Sequence, residues 1–138
     1  MNAKDFLEVA KKLQSSDVEA ERRTAISRAY YAVFNHVKGF LKNENIAIPK
    51  DASGHVKACQ YLLNSGLSEA RKLADTLANL RDVRNDADYE LISPKHKYDK
   101  LNCGLTCVKA IKFFENFERI DHGNLLKGIW EYKRKTNN

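Results

Sequence analysis

The chain has 138 residues and carries 24 Lys or Arg against 18 Asp or Glu, a formal charge of +6. That length is enough for a core of its own, the basic balance favours polyanionic partners such as RNA, DNA or an acidic protein, and no apolar run approaches the ~18 residues that span a bilayer. Two prolines and six glycines leave long unbroken segments rich in Leu, Ala, Lys, Glu and Arg, without alternating strand patterns or hairpin turns, so the fold class is all-α.

In chain order, Asp5 to Leu13 predicts a short first helix with Phe6, Val9, Ala10 and Leu13 inward. Its amphipathic pattern lacks the contiguous apolar stretch of a signal peptide, which predicts a cytoplasmic protein. Ser16 and Glu19 stand in capping-box relation, so a second helix is expected to start there and run to about Lys42. Ile26, Tyr30, Val33, Val37 and Phe40 or Leu41 make its core stripe, and Ala25, Ala29 and Ala32 allow close helix approach. Asn43 to Ser53, with Pro49, reads as a loop. A third helix follows from Gly54 to Leu63, closed by Asn64-Ser65-Gly66.

The fourth helix spans Ser68 to Tyr89. Ser93-Pro94 predicts the start of a fifth, running to about Glu118 and burying Leu101, Leu105, Val108, Ile111 and Phe114. A last short helix, Asn124 to Tyr132, carries Leu125, Leu126, Ile129 and Trp130, followed by the basic end YKRKTNN. There is no internal repeat and no linker, so 1–138 reads as one domain, an antiparallel four- to five-helix bundle with a short C-terminal helix and basic tail from about 123. Lys133-Arg134-Lys135 is expected to be a frayed, solvated end that adds at most a salt-sensitive attraction for phosphate.

Within the fourth helix, Leu73, Leu77, Leu80, Ala87 and Leu91 recur on one face, and Arg84 falls near the middle of that stripe. A guanidinium keeps its charge and needs a partner when it points inward. Asp88, one turn later, is the nearest candidate, with Asp82 and Asp86 on other faces. Two readings stand: an Arg84–Asp88 pair that closes the helix end and does nothing more, or a polar cleft or symmetric interface in which the guanidinium fork meets a phosphate or nucleotide.

Two blocks, RTAISRAYYAVFNHVKGFL (Arg23 to Leu41) and LRDVRNDADYEL (Leu80 to Leu91), closely resemble the HEPN domains, the higher-eukaryote and prokaryote nucleotide-binding group. The resemblance runs from about Phe6 to Phe117. It implies a four- or five-helix bundle, commonly a homodimer, that binds RNA or a nucleotide. In members that cut RNA, an Arg followed after four to six residues by His works without metal across a dimer cleft. Many such members are toxins paired with a nucleotidyltransferase-type antitoxin, or act in defence against phage; others are non-catalytic dimerisation or adaptor modules.

Carried over residue by residue, Arg84 takes the motif arginine, Asn85 the polar residue after it, and Tyr89 the place of the histidine. A tyrosine with a pKa near ~10 supplies little base at neutral pH, where a histidine near ~6.5 exchanges protons readily. Metal-independent endoribonuclease chemistry through Arg84 and Tyr89 therefore stands beside a non-catalytic role. The ligand-binding candidates are Arg84 on phosphate, Asn85 and Asp88 orienting it, and Tyr31, which either packs on the fourth helix or a second subunit or stacks on a ligand. Arg28 reads as a solvated surface residue, or one bordering a groove.

Among other histidines, His36 lies at the edge of the second helix's stripe and reads as structural, while His55, His96 and His122 sit near loops or a helix start. Cys59, Cys103 and Cys107 lack CxxC spacing and read as free thiols. Cys103 and Cys107 share a face, yet a zinc site there has no fourth ligand. No metal, cofactor or membrane association is expected.

Overall fold

The computed structural model describes residues 1–136, and all their regular structure is helical: α1 (Ala3–Leu13), α2 (Glu19–Asn43), α3 (Ser53–Leu63), α4 (Ser68–Tyr89), α5 (Lys100–Arg119) and α6 (His122–Thr136). The long α2 is central, packing against α1, α4 and α5. Its stripe forms as the sequence predicts: Ile26, Tyr30, Val33, Val37 and Leu41 are buried, and Ala25, Ala29 and Ala32 are fully covered where neighbouring helices approach. Phe40 is half-buried at the edge.

Side-chain contacts give the directions. Arg23 of α2 meets Ala87 of α4 and the carbonyls of Glu90 and Leu91 just beyond it, whereas Tyr31, about two turns later in α2, meets Arg84, so these two helices are antiparallel. Lys4 meets Glu118 and Ala10 meets Cys107, so α1 opposes α5. The connection through 44–52 folds over the start of α3 so closely that a Cβ at Gly54 would lie 2.1 Å from the Pro49 carbonyl oxygen. At the other end, α6 crosses the α3–α4 turn at Gly128, where a Cβ would lie 1.7 Å from the Ser65 oxygen. Only hydrogen fits at either place.

Several predicted details differ. The Ser16–Glu19 capping box does not form: α2 begins after Val18, and Ser16 Oγ accepts from the Val18 amide at 3.1 Å and bonds the Glu21 carboxylate. In α1 Leu7 is buried and Val9 is exposed. Ser93 starts a local turn and not a helix, accepting from the amides of Lys95 and His96. Helix α5 begins instead after Asp99, whose carboxylate accepts from the Asn102 amide at 2.8 Å.

The buried face of α5 is Cys103, Cys107, Ala110, Phe113, Phe114 and Phe117, whereas Leu101, Leu105 and Val108 are exposed. Both faces of α5 are apolar, so periodicity alone cannot say which turns inward; the small Cys and Ala side chains let α5 approach α1 and α2 closely. Leu91 lies past the end of α4 and is exposed, so the predicted α4 stripe ends at Ala87. Finally, α6 stays helical through Lys133-Arg134-Lys135, contrary to the expected frayed end, and Lys133 Nζ reaches the Tyr61 hydroxyl at 3.3 Å. Asn137 and Asn138 of the predicted tail lie outside the described residues.

Candidate functional site

The second half of α4 places Arg84 against α2. Its side chain is 15% accessible, and each guanidinium nitrogen has a partner in the chain. Nε lies 2.9 Å from Asp88 Oδ2, an ion pair in which the N–H does not point along the contact. Nη1 donates to Asn85 Oδ1 at 2.8 Å, and Nη2 to the Tyr31 hydroxyl at 2.7 Å. Ser27 Oγ donates to the same Asp88 oxygen at 3.3 Å. Since Arg carries five N–H donors, Nη1 and Nη2 each keep a second N–H that these bonds do not use.

Aromatic rings frame the guanidinium. Its carbon lies 4.9 Å from the Tyr31 ring centroid and 5.7 Å from that of Tyr89. Tyr89 is 71% exposed, at the last position of α4. Arg28 is not the solvated surface residue that was expected: it is half-buried, with its guanidinium carbon 5.3 Å from both the Tyr31 and Phe6 rings. The structure thus brings Arg84, Asn85, Asp88 and Tyr31 into one network and leaves Tyr89 at its outer edge.

The end of α4 is fixed from α2. Arg23 donates to the carbonyls of Ala87 (3.2 Å), Glu90 and Leu91 (3.1 Å), so that orphan C-terminal acceptors are satisfied by a cation, as the helix dipole favours. The Arg23 guanidinium carbon lies 4.4 Å from the Tyr98 ring centroid, and the Tyr98 hydroxyl donates to Asp86. Burial would raise the Asp86 pKa, but hydrogen bonds from Ser93 and Tyr98 and the nearby charges of His96 and Arg23 hold it below the usual carboxylate value. Asp86 thus anchors the loop after α4 and turns away from Arg84.

On the far side of Tyr31 from the helix end, a groove of about 370 Å³ opens between α3 and α4, lined by Tyr30, His55, Cys59, Leu77, Arg81 and Asn85. His55 Nδ1 lies 2.5 Å from the Tyr30 hydroxyl, and its ring stacks 4.1 Å from Phe34. Burial, then the charges of Arg81, Arg84 and Lys38, lower the His55 pKa and so favour the neutral ring. Burial raises the Tyr30 pKa, so its hydroxyl keeps its proton and donates to Nδ1.

Sequence reasoning set His55 among the loop histidines and did not single out Arg81 or the capping role of Arg23. A usable signal existed for His55: it stands three residues before Ala58 and seven before Leu62, on the edge of the buried face of α3.

The other candidates are elsewhere. His36 packs 4.6 Å from Phe114 and 5.0 Å from Phe117, with its pKa lowered by burial and by Lys4. His96 faces Asp82 at 3.5 Å, and His122 bonds the Phe117 carbonyl. The three cysteines are free thiols, with that of Cys107 pushed up to about 11 by burial. Among the described residues, no three His, Cys, Asp or Glu side chains converge as metal ligands, and no helix is long and apolar enough to cross a membrane.

This arrangement, an inward motif arginine on α4 held by α2 in an all-helical bundle, meets a direct comparison: the family model for the HEPN domain matches residues 1–120. The chain belongs to the HEPN family. An uncharacterised protein of Methanocaldococcus jannaschii is similar to it, 36% identical over 109 residues that cover 67% of this chain and 66% of that protein. The chain thus spans slightly less than two thirds of that relative's length. No solved structure matches it. HEPN membership associates the chain with nucleotide- and RNA-related function in general.

Proposed function

We propose that this HEPN protein binds RNA or a nucleotide at the surface around Arg84, without metal or cofactor, and serves a toxin–antitoxin or phage-defence system. The observation that carries the reading is the state of Arg84: a guanidinium pre-oriented by Asp88, Asn85 and Tyr31, with an unused N–H on each Nη and an exposed Tyr89 ring beside it. Those N–H groups form a fork for phosphate. Tyr89 is placed to stack on a base, which every nucleotide offers. Arg28 and Arg81 add positive charge on either side. The whole of 1–138 acts as one domain in the cytoplasm, as a homodimer with a nucleotidyltransferase-type antitoxin as partner.

Cleavage by this site would need a proton acceptor in place of the motif histidine, and Tyr89 is the motif's own candidate. Incubating wild type and Arg84→Ala with a mixed RNA pool plus EDTA separates the outcomes. Cleavage by wild type alone assigns a metal-independent endoribonuclease; binding without cleavage, lost in Arg84→Ala, assigns a binding role.

A second reading, a non-catalytic dimerisation or adaptor module, draws on the fact that every guanidinium nitrogen of Arg84 already has a partner inside the chain. It predicts that Arg84→Ala lowers the melting temperature or weakens a dimer while leaving RNA affinity as in wild type.

A further inference from the structure

Helix α5 carries an apolar row that the described residues leave largely uncovered. Leu101, Leu105 and Val108 follow one another at i, i+4 and i+7, and are 71%, 51% and 43% exposed. One such leucine on a surface is ordinary, but three in helical register beside a groove mark an interaction face. Leu105 and Val108 line a groove of about 580 Å³ between α5, α4 and the segment before α5. Ile26 and Val83 lie on its floor, and its rim carries Lys95, Lys97, Lys109 and Lys112, with no carboxylate in the lining.

This face is separate from the Arg84 site. Asn79 and Val83 of α4 turn toward α5, whereas Arg81 and Asn85 turn toward α3. The inference therefore does not rest on the proposed function.

We infer that the Leu101–Leu105–Val108 row and its lysine rim form a docking groove for an acidic amphipathic helix of another protein. The apolar row matches the i, i+4, i+7 anchors of a helix laid in a groove. Four rim ammonium groups outnumber the nearby carboxylates, Asp82 at 3.5 Å from His96 and Asp99 beside Lys97, and so select a negatively charged partner. A second copy of this chain is a poor occupant, because a two-fold contact brings two lysine-rimmed faces together. RNA uses the lysines but gains nothing from the aliphatic row, and the tyrosine in the lining, Tyr98, is buried.

The test is selection of a random helical-peptide display library on the intact protein, with counter-selection on Leu105→Glu. The strongest peptide is then synthesised and titrated. The groove predicts enriched peptides with net negative charge and apolar residues at i and i+4. It predicts binding that weakens as salt is added and falls roughly tenfold both in Leu105→Glu and in Lys109→Glu/Lys112→Glu, and that is unchanged in Arg84→Ala.

The altered side chains are exposed, so helicity and melting temperature should match wild type; Leu105→Ser replaces Leu105→Glu if they do not. No enrichment over the counter-selected variant, or selected peptides without negative charge, overturns the inference. So does displacement of the peptide by single-stranded RNA, or self-association of wild type that Leu105→Glu abolishes.

Discussion

Arg23 on α2 donates to the carbonyl of Ala87 on α4 at 3.2 Å, so the helix end that carries Arg84 to Tyr89 is closed by a cation from another helix. The same guanidinium reaches the carbonyls of Glu90 and Leu91. Hydrogen bonds from a charged donor are worth more than neutral ones. Arg23→Met, which keeps much of the side-chain volume, should lower stability by about 2 kcal/mol. Amide exchange should accelerate most at Ala87 to Leu91, while the middle of α4 stays protected.

Tyr89 is exposed beside Arg84, so its removal takes little from the folded core. If it stacks on a base, Tyr89→Ala should cost ~1–3 kcal/mol of RNA affinity and leave the melting temperature within a degree or two. Tyr89→Phe should bind like wild type, because the ring supplies the contact. Anisotropy titration of labelled single-stranded RNA against the three proteins reads this directly; an effect of Tyr89→Phe equal to that of Tyr89→Ala would make the hydroxyl the active part.

Asp88 holds Arg84 and also repels any phosphate that approaches it. Asp88→Asn keeps an acceptor for Ser27 and removes the charge. Stability should fall by about 1 kcal/mol, in line with a partly buried ion pair at the edge of the fold. RNA affinity should rise roughly two- to fivefold, as expected for one negative charge removed near the surface. The adaptor reading predicts the first change without the second.

His55 gives the site a pH signature. Burial and the charges of Arg81, Arg84 and Lys38 lower its pKa in the folded state, whereas the unfolded ring keeps the ordinary value near ~6.5. Between those two values the unfolded chain binds more protons, so stability rises with pH across that window. The contribution is complete above about 6.5 and is lost as pH falls from there through the folded pKa. Protonation also removes the Nδ1 acceptor of the Tyr30 hydroxyl. Melting temperatures of wild type should therefore fall on acidification faster than those of His55→Gln; parallel curves would show that the ring is not held neutral.

The sequence made the α2 stripe and the limits of α4 readable because each follows from one clean period and its breakers. Arg84 stood out for the same reason, a charge set in an apolar row. Helix α5 was misjudged because it has two apolar faces: the row of larger aliphatic residues reads as core, yet Cys103, Cys107 and Ala110 are the side that packs. The Ser93-Pro94 signal was local and real, but it makes a turn, since Tyr98, bonded to Asp86, and Arg22, bonded to the Tyr98 carbonyl, tie that segment down before α5 begins. Likewise, the contacts of His55 with Tyr30 and Phe34 join α3 to α2 across a loop. No spacing rule within one helix reports a pairing of that kind.

The central claim is that Arg84 meets RNA phosphate, and the salt dependence of RNA binding tests it most directly. Affinities of wild type and Arg84→Ala for one single-stranded RNA, measured across a range of salt concentrations, give two slopes of log affinity against log salt. Loss of one phosphate contact should weaken Arg84→Ala at every salt concentration and reduce its slope by about one. Superimposable lines for the two proteins would contradict the account and leave Arg84 a structural arginine.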